Sequence, residues 1–177
     1  MTLYVMRHGQ TNYNILSLCN DDPRKEVHLT ETGIQQAEAA ANHLAHIPLS
    51  KIYVSELPRT RQTAEVINRS HNAPIITSHY LNDIRSGFES QPVEKYFAAT
   101  GHDRYNITPP GGESVKEFQS RVLQFLDEVG SNNSDSTILV VTHEEAIRVF
   151  YAYFNRLDTQ EMMALKFDNC ELVEFTL

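Results

Sequence analysis

Short apolar runs alternate with segments of helical periodicity along this chain, and that order limits the fold more than any other feature of the sequence. The runs typical of strands are residues 3–6, 51–54, 74–77, 137–141 and 171–177. Strands separated by helices form mainly parallel sheets, because a parallel connection needs a crossover that a helix usually supplies. The sequence therefore predicts an α/β three-layer sandwich, with a mainly parallel sheet and helices on both of its faces.

Apolar residues at helical spacing predict the helices between these strands. The predicted helices cover residues 33–47, 58–69, 92–99, the segment that follows residue 114, and 144–154. Thr30 is the expected N-cap of the first of them, whose apolar face would include Ile34. Ser114 and Glu117 form a capping-box pattern ahead of the longest apolar stripe. Residues 131–136, SNNSDS, are predicted to form a loop.

Length and composition predict one domain, residues 1–177, with a small cap at about 82–113. A net charge of −8 argues against a general nucleic-acid binder, which would carry a basic face. No apolar run approaches the roughly 20 residues of a membrane span, so no membrane partner is expected. Cys19 and Cys170 are too few for a disulfide scaffold, and a reduced, cytoplasmic location is expected.

Histidines directly follow two of the predicted strands. His8 comes after the first run, and His143 comes after the run at 137–141. If these strands are parallel neighbours, the two imidazoles face one crevice at the carboxyl ends of the strands, where such sheets bind ligands. Arg7 lies beside His8, while Arg59 and Arg61 begin a predicted helix. Histidines and guanidinium groups that converge in this way form a pocket suited to phosphate.

Motifs in this order resemble the histidine phosphatase superfamily, also called phosphoglycerate mutase-like, and in particular its small phosphatase branch. The matching segments are RHGQTNYN at 7–14, HLTETGIQQA at 28–37, SELPRTRQTA at 55–64, LNDIRSGFES at 81–90, GGES at 111–114 and THEEAIR at 142–148. The resemblance covers nearly the whole chain. It implies a phosphoglycerate mutase-like fold and phosphoryl transfer through a histidine.

The resemblance also implies roles by position. His8 would be the nucleophile that becomes phosphohistidine, and Asp83 the proton donor. Residues that would complete the phosphate pocket are Arg7, Arg59 and His143, with a further contact from Asn14. Arginines and histidines would supply the positive charge, so no metal and no cofactor are expected.

Departures from the family pattern concern three places. Glu144 follows His143 where the family has a small glycine; we expect its carboxylate to point away, because a carboxylate suits the first turn of a helix. Pointing inward, it would weaken phosphate binding. Leu18 and Asn20 stand where related phosphatases carry an arginine and a glutamine, so Asn20 is a candidate substrate contact. Glu89 is the second candidate for the proton donor.

Other chemistries fit the sequence less well. Cys19 lacks the C-x5-R spacing of a cysteine phosphatase, no phosphate-binding P-loop is present, and the HEEAI segment lacks the second histidine of a zinc protease motif. The sequence predicts a metal-independent, histidine acid phosphatase-type phosphomonoesterase that hydrolyses a small phosphorylated metabolite through a phosphohistidine. The alternatives are a phosphoglycerate-type mutase and a non-catalytic regulator that binds a phosphorylated ligand. The substrate and the oligomeric state stay open.

Overall fold

The computed structural model describes residues 1–130 and 136–176. Most of the predicted loop at 131–136 therefore lies outside the described residues. Nowhere in the described part of the chain is a helix both long enough and apolar enough to cross a membrane.

Five strands of residues 1–130 and 136–176 form one sheet in the order β3-β2-β4-β1-β5. Their bounds are β1 Thr2–Arg7, β2 Lys51–Val54, β3 Ile75–Thr77, β4 Thr137–Thr142 and β5 Leu172–Thr176. The first four are mutually parallel, and β5 pairs with β1 in the antiparallel direction at the edge. The predicted mainly parallel sheet is confirmed, and β3 begins one residue later than the apolar run that predicted it.

Within the described part of the chain, seven helices lie between and around these strands. They are α1 Asn12–Ile15, α2 Glu31–Leu44, α3 Pro58–Asn68, α4 Val93–Thr100, α5 Val115–Gly130, α6 Glu144–Asn155 and α7 Thr159–Ala164. Thr30 caps α2 as predicted, since its side chain accepts a hydrogen bond from the Gly33 amide at 3.1 Å. The short helices α1 and α7 were not predicted, because a helix of one turn leaves no readable periodicity.

Apolar side chains alternate between the two faces of the sheet. Val5 and Val140 pack on one face with α5 and α6, whereas Met6 and Val141 pack on the other with α2 and α3. Strand side chains point to opposite faces in turn, so each strand contributes to both cores. The predicted three layers are therefore confirmed, although Ile34 of the expected α2 face is 41% exposed.

The register of β1 and β4 brings the two histidines together. Arg7 pairs with Thr142 at the last position of the two strands. The backbone amide of His8 then donates to the Thr142 carbonyl at 3.0 Å, which continues the ladder by one bond. His8 and His143 therefore lie next to each other at the same edge of the sheet.

Residues 82–113 cross this edge and are anchored by a buried carboxylate. Glu113 is 2% exposed and accepts a hydrogen bond from the Arg121 Nη2 at 2.6 Å. Arg121 also donates to the backbone carbonyls of Asn82, at 3.1 Å, and Asp83, at 3.3 Å. The loop is tight at Gly87, whose φ is 74° and where a Cβ would lie 2.1 Å from a neighbouring carbonyl oxygen. These contacts fix the backbone that carries Asp83.

The capping box ahead of α5 is confirmed. The Ser114 amide donates to the Glu117 carboxylate at 2.8 Å, and the Glu117 amide donates to the Ser114 hydroxyl at 3.2 Å. Two amides at the helix N-terminus are thereby satisfied. The cap orients α5 directly after the 82–113 segment ends.

Candidate active site

The His8 imidazole is held in one tautomer at the end of β1. Its Nδ1 lies 2.7 Å from the Gly9 carbonyl oxygen. A carbonyl oxygen only accepts, so Nδ1 carries the proton and Nε2 keeps its lone pair. Burial and the neighbouring charge of Arg59 hold the pKa of His8 well below the ordinary histidine value. His8 is therefore a neutral imidazole with its free nitrogen turned toward Arg59.

Arg59 lies at the centre of the site. It is only 3% exposed, and its Nε donates to the His8 Nε2 at 3.0 Å. Its Nη2 donates to the Asp83 Oδ2 at 2.9 Å and to the His143 Nδ1 at 3.1 Å. One guanidinium thus connects the three groups that the sequence assigned to catalysis. Its position follows from α3, which begins one residue earlier, at Pro58.

His143 lies against His8, with the ring centroids 5.2 Å apart. Because the Nδ1 accepts from Arg59, the proton of the ring is on Nε2, 2.9 Å from the Ser55 hydroxyl. Burial and Arg59 hold the pKa of His143 well below its ordinary value. In the unliganded site, His143 is therefore neutral, and the expectation that it adds positive charge is wrong for this state.

The Asp83 carboxyl is poised between its two protonation states. Burial raises its pKa to about 6, although the charge of Arg59 and a hydrogen bond from the Ile84 amide act in the opposite direction. Its Oδ2 also lies 3.4 Å from the unprotonated Nδ1 of His143. A carboxyl group in this environment can give and take a proton close to neutral pH.

Glu144 points toward Arg7 at the cavity, so the expectation that it points away is wrong. Its Oε2 lies 3.1 Å from the Arg7 Nη1, and its other oxygen accepts a hydrogen bond from Arg148. The first turn of α6 places the carboxylate there, and the two guanidinium groups turn it inward. Arg7 also donates to the Phe167 carbonyl at 2.6 Å, which fixes its position.

The two asparagines line the cavity but also have structural partners. The Asn14 Oδ1 accepts hydrogen bonds from the Thr11 amide, at 2.9 Å, and from its hydroxyl, at 3.1 Å. These bonds close a capping box at α1. The Asn20 Oδ1 accepts from Arg59, and its carbonyl accepts from the Arg59 Nη2 at 3.0 Å. Asn20 therefore holds Arg59 in place, a role that its sequence position did not indicate.

Glu89 and Arg61 lie outside the reacting centre. The Glu89 carboxylate accepts from the backbone amides of Asp21, at 2.7 Å, and Asp22, at 3.0 Å. It anchors the loop after α1 and does not line the cavity, which removes it as a candidate proton donor. The Arg61 Nη2 donates to the Thr77 hydroxyl at 2.9 Å on an exposed surface, so it does not join the pocket.

A cavity of about 190 Å³ opens above these residues. Its outer wall includes Tyr96, Phe97, Arg104 and Glu145, none of which sequence reasoning singled out. Tyr96 and Phe97 lie on α4, Arg104 lies in the loop after it, and Glu145 lies on α6. Their positions in the sequence do not indicate that they face the cavity. No group of three or more histidine, cysteine or acidic residues with metal-binding geometry occurs within residues 1–130 and 136–176.

The sheet, the paired histidines and the buried arginine define an α/β protein with a pocket lined by arginine and histidine at the carboxyl ends of its strands. The sequence model of the histidine phosphatase superfamily (branch 1) matches residues 3–177. The chain belongs to this superfamily, as its motifs predicted.

Named relatives lie within this superfamily. An adenosylcobalamin/alpha-ribazole phosphatase of Salmonella typhi is 29% identical over 161 residues, covering 86% of this chain and 78% of the relative. Phosphoserine phosphatase 1 of Hydrogenobacter thermophilus is 29% identical over 177 residues, covering 94% and 82% respectively. A probable phosphoglycerate mutase of Erwinia tasmaniensis is 27% identical over 180 residues, covering 97% and 83%.

Solved structures show the same fold. The alpha-ribazole phosphatase from Shigella flexneri superimposes with a TM-score of 0.88 at 22% sequence identity, covering 98% of this chain and 89% of that one. The family match and the relatives named as phosphatases support phosphatase activity for this chain.

Proposed function

We propose that this protein is a phosphomonoesterase that hydrolyses a small phosphorylated metabolite in the cytoplasm through a phosphohistidine at His8. The observation that carries the proposal is the fixed tautomer of His8, with Nδ1 at 2.7 Å from the Gly9 carbonyl and Nε2 beside Arg59. A nucleophilic imidazole must be neutral at the attacking nitrogen and held at the other. A protein that only bound phosphate would need neither condition.

In the first half-reaction, the His8 Nε2 forms a bond to phosphorus while the ester P–O bond breaks. Asp83 gives its proton to the leaving alkoxide oxygen. The bound phosphate dianion adds negative charge near Asp83, and this raises the pKa of the carboxyl further above about 6. Arg7 and Arg59 donate to the phosphoryl oxygens, whose charge develops in the transition state.

In the second half-reaction, water attacks phosphorus and the N–P bond to His8 breaks. Asp83, now a carboxylate, accepts the proton of the attacking water. The phosphate then leaves and Asp83 ends protonated, so the cycle closes without a further reagent. The guanidinium groups of Arg7 and Arg59 provide the charge that a metal ion supplies in other phosphatases, and we therefore propose metal-independent catalysis.

The cavity favours hydrolysis of a monophosphate over a phosphoglycerate-type mutase reaction. Beyond the two arginines of the phosphate site, the cation that lines the described cavity is Arg104, and its Nη2 is bound to Glu145 at 2.9 Å. Leu18 and Asp21 line the same cavity, and neither offers a positive charge that could bind a second anionic group. A mutase must hold a substrate with a second anionic group, so these residues support water as the acceptor.

Steady-state kinetics of two alanine variants test the proposal. We expect His8→Ala to lose hydrolysis of phenyl phosphate by at least about 10⁴-fold, because no covalent intermediate can form. His43→Ala, on the exposed surface of α2, is the control and should keep full activity. Activity in excess EDTA should equal that without it. Hydrolysis that survives in His8→Ala, or that EDTA abolishes and Mg²⁺ restores, would contradict the mechanism.

A further inference from the structure

Two buried hydroxyl groups connect His143 to the first turn of α3. The His143 Nε2 lies 2.9 Å from the Ser55 Oγ, which in turn lies 2.9 Å from the Thr60 Oγ1. The Thr60 Oγ1 lies 2.9 Å from the Leu57 carbonyl oxygen and 3.3 Å from that of Ser55. Ser55 is 1% exposed and Thr60 is 0% exposed, so solvent does not reach this chain of hydroxyls.

The available protons fix the direction of every hydrogen bond in this chain. A carbonyl oxygen only accepts, so the single hydroxyl proton of Thr60 is directed at the two carbonyls. The contact between the hydroxyls then uses the proton of Ser55. The contact between Ser55 and His143 must therefore use a proton on the ring Nε2. The Leu57 amide also donates to the Ser55 Oγ, at 3.2 Å, and this fills its second acceptor position.

This direction leaves the His143 Nδ1 without a proton on the side of the ring that faces Arg59. The Arg59 Nη2 donates to this Nδ1 at 3.1 Å and to the Asp83 Oδ2 at 2.9 Å. A ring that carried its proton on Nδ1 would present a donor to the guanidinium, which itself has only donors. The hydroxyl chain therefore keeps the ring in the one neutral form that can hold Arg59.

We infer that Ser55 and Thr60 are positioning residues for the active site, which act through His143 on the guanidinium of Arg59. The hydrogen bond at one ring nitrogen of a histidine decides what the other nitrogen can do, and here the far nitrogen is bound by the hydroxyl chain. The form of the ring is independent of catalysis. The effect on turnover rests on the proposed function, in which Arg59 donates to the phosphoryl oxygens.

Two substitutions at Thr60 separate the role of its hydroxyl from that of its packing. Thr60→Val keeps the shape of the side chain and removes the hydroxyl, whereas Thr60→Ser keeps the hydroxyl and removes the methyl group. In Thr60→Val, the Ser55 proton loses its acceptor and turns to the His143 Nε2. We therefore expect part of the Thr60→Val protein to carry the ring proton on Nδ1. Thr60→Ser should keep the proton on Nε2, as in the wild type.

NMR of protein labelled with the heavy nitrogen isotope measures the form of the ring, because protonated and unprotonated ring nitrogens resonate far apart. We expect one tautomer of His143 in the wild type and in Thr60→Ser, and two in Thr60→Val. The kcat for phenyl phosphate should fall roughly tenfold in Thr60→Val and stay within about twofold in Thr60→Ser. Ser55→Ala removes the acceptor of the Nε2 proton itself and, as a second variant, should also show two tautomers.

Thr100→Val is the matched control. Thr100 is a fully buried threonine whose hydroxyl donates to the Tyr96 carbonyl at 2.9 Å, and its loss should change neither the tautomer nor kcat. A single tautomer in both Thr60→Val and Ser55→Ala, equal changes in the two Thr60 variants, or two tautomers with an unchanged kcat would overturn the positioning role. The expected tautomers in a protein that forms no phosphohistidine would instead overturn the proposed function alone.

Discussion

If Arg7 binds phosphate as proposed, Glu144 competes for its guanidinium group, and removing the charge of Glu144 should strengthen phosphate binding. In the unliganded protein, the carboxylate lies 3.1 Å from the Arg7 Nη1, with side-chain exposures of 18% for Arg7 and 23% for Glu144. Bound phosphate must take hydrogen bonds from the same guanidinium. The dianion would then lie on the far side of this group from Glu144, about 6 Å away on the dimensions of a guanidinium and two hydrogen bonds.

The size of the effect follows from Coulomb's law at that separation. In a water-like dielectric, each pair of unit charges at about 6 Å repels by about 0.7 kcal/mol, and a dianion doubles this to about 1.4 kcal/mol. A free energy of about 1.4 kcal/mol corresponds to a roughly tenfold change in an equilibrium constant. The partial exposure of both side chains justifies the water-like value, and a drier site would increase the effect.

Competitive inhibition by inorganic phosphate measures this effect directly. Glu144→Gln keeps the size of the side chain, and we expect its inhibition constant for phosphate to fall roughly tenfold at low ionic strength. The gain should shrink as salt is added, since salt screens the repulsion. Glu38→Gln is the matched control, because it removes the same charge from an ion pair with Arg69, 3.4 Å long, on an exposed surface away from the cavity. Unchanged or weaker inhibition in Glu144→Gln would refute the reasoning and show that Glu144 mainly positions Arg7.

Two further predictions concern the titration of the site and the anchoring of the segment that carries its proton donor. The kcat/KM should follow a bell-shaped pH profile, because catalysis needs His8 deprotonated and Asp83 protonated. Burial holds the pKa of His8 well below its ordinary value, and burial raises the pKa of Asp83 to about 6. The value of kcat/KM should therefore fall as the pH rises through about 6. Asp83→Asn should abolish that basic limb, and it should slow the hydrolysis of an alkyl phosphate far more than that of phenyl phosphate. A basic limb that is unchanged in Asp83→Asn would exclude Asp83 as the proton donor. Glu113→Gln removes the buried ion pair with Arg121, the residue that holds the Asp83 backbone. We expect the free energy of unfolding in urea to fall by about 3 kcal/mol, because Arg121 loses its charged partner. The exposed Glu94→Gln variant is the control and should keep its stability. Equal stability of the two variants would contradict this.

The sequence predicted the sheet and the convergence of His8, Arg59 and His143, because these residues are adjacent in the chain to strong local patterns. His8 and His143 each follow a buried strand directly, so the pairing of β1 with β4 is enough to bring them together. Arg59 lies in the first turn of α3, and its place is set by the strand before it. The backbone positions of these three residues therefore follow from the strands and helices alone.

The positions that sequence reasoning missed depend on side-chain contacts across the fold. Glu144 turns inward because Arg7 and Arg148 both bind its carboxylate, and neither partner is implied by a capping position. Asn20 holds Arg59 from a loop whose course is set by Glu89. The outer wall of the cavity was not predicted, since its residues come from α4, the loop after it and α6, and helical periodicity does not show which of their side chains face the cavity.

Trapping the covalent intermediate tests the central claim most directly. The protein would be mixed with an isotope-labelled phosphomonoester, quenched in base within milliseconds, digested and mapped by mass spectrometry. We expect label on the peptide that contains His8, on an adduct that survives base and is lost in acid, and no such label in His8→Ala. Label on any other residue, or full turnover with no labelled peptide during the steady state, would contradict the phosphohistidine mechanism.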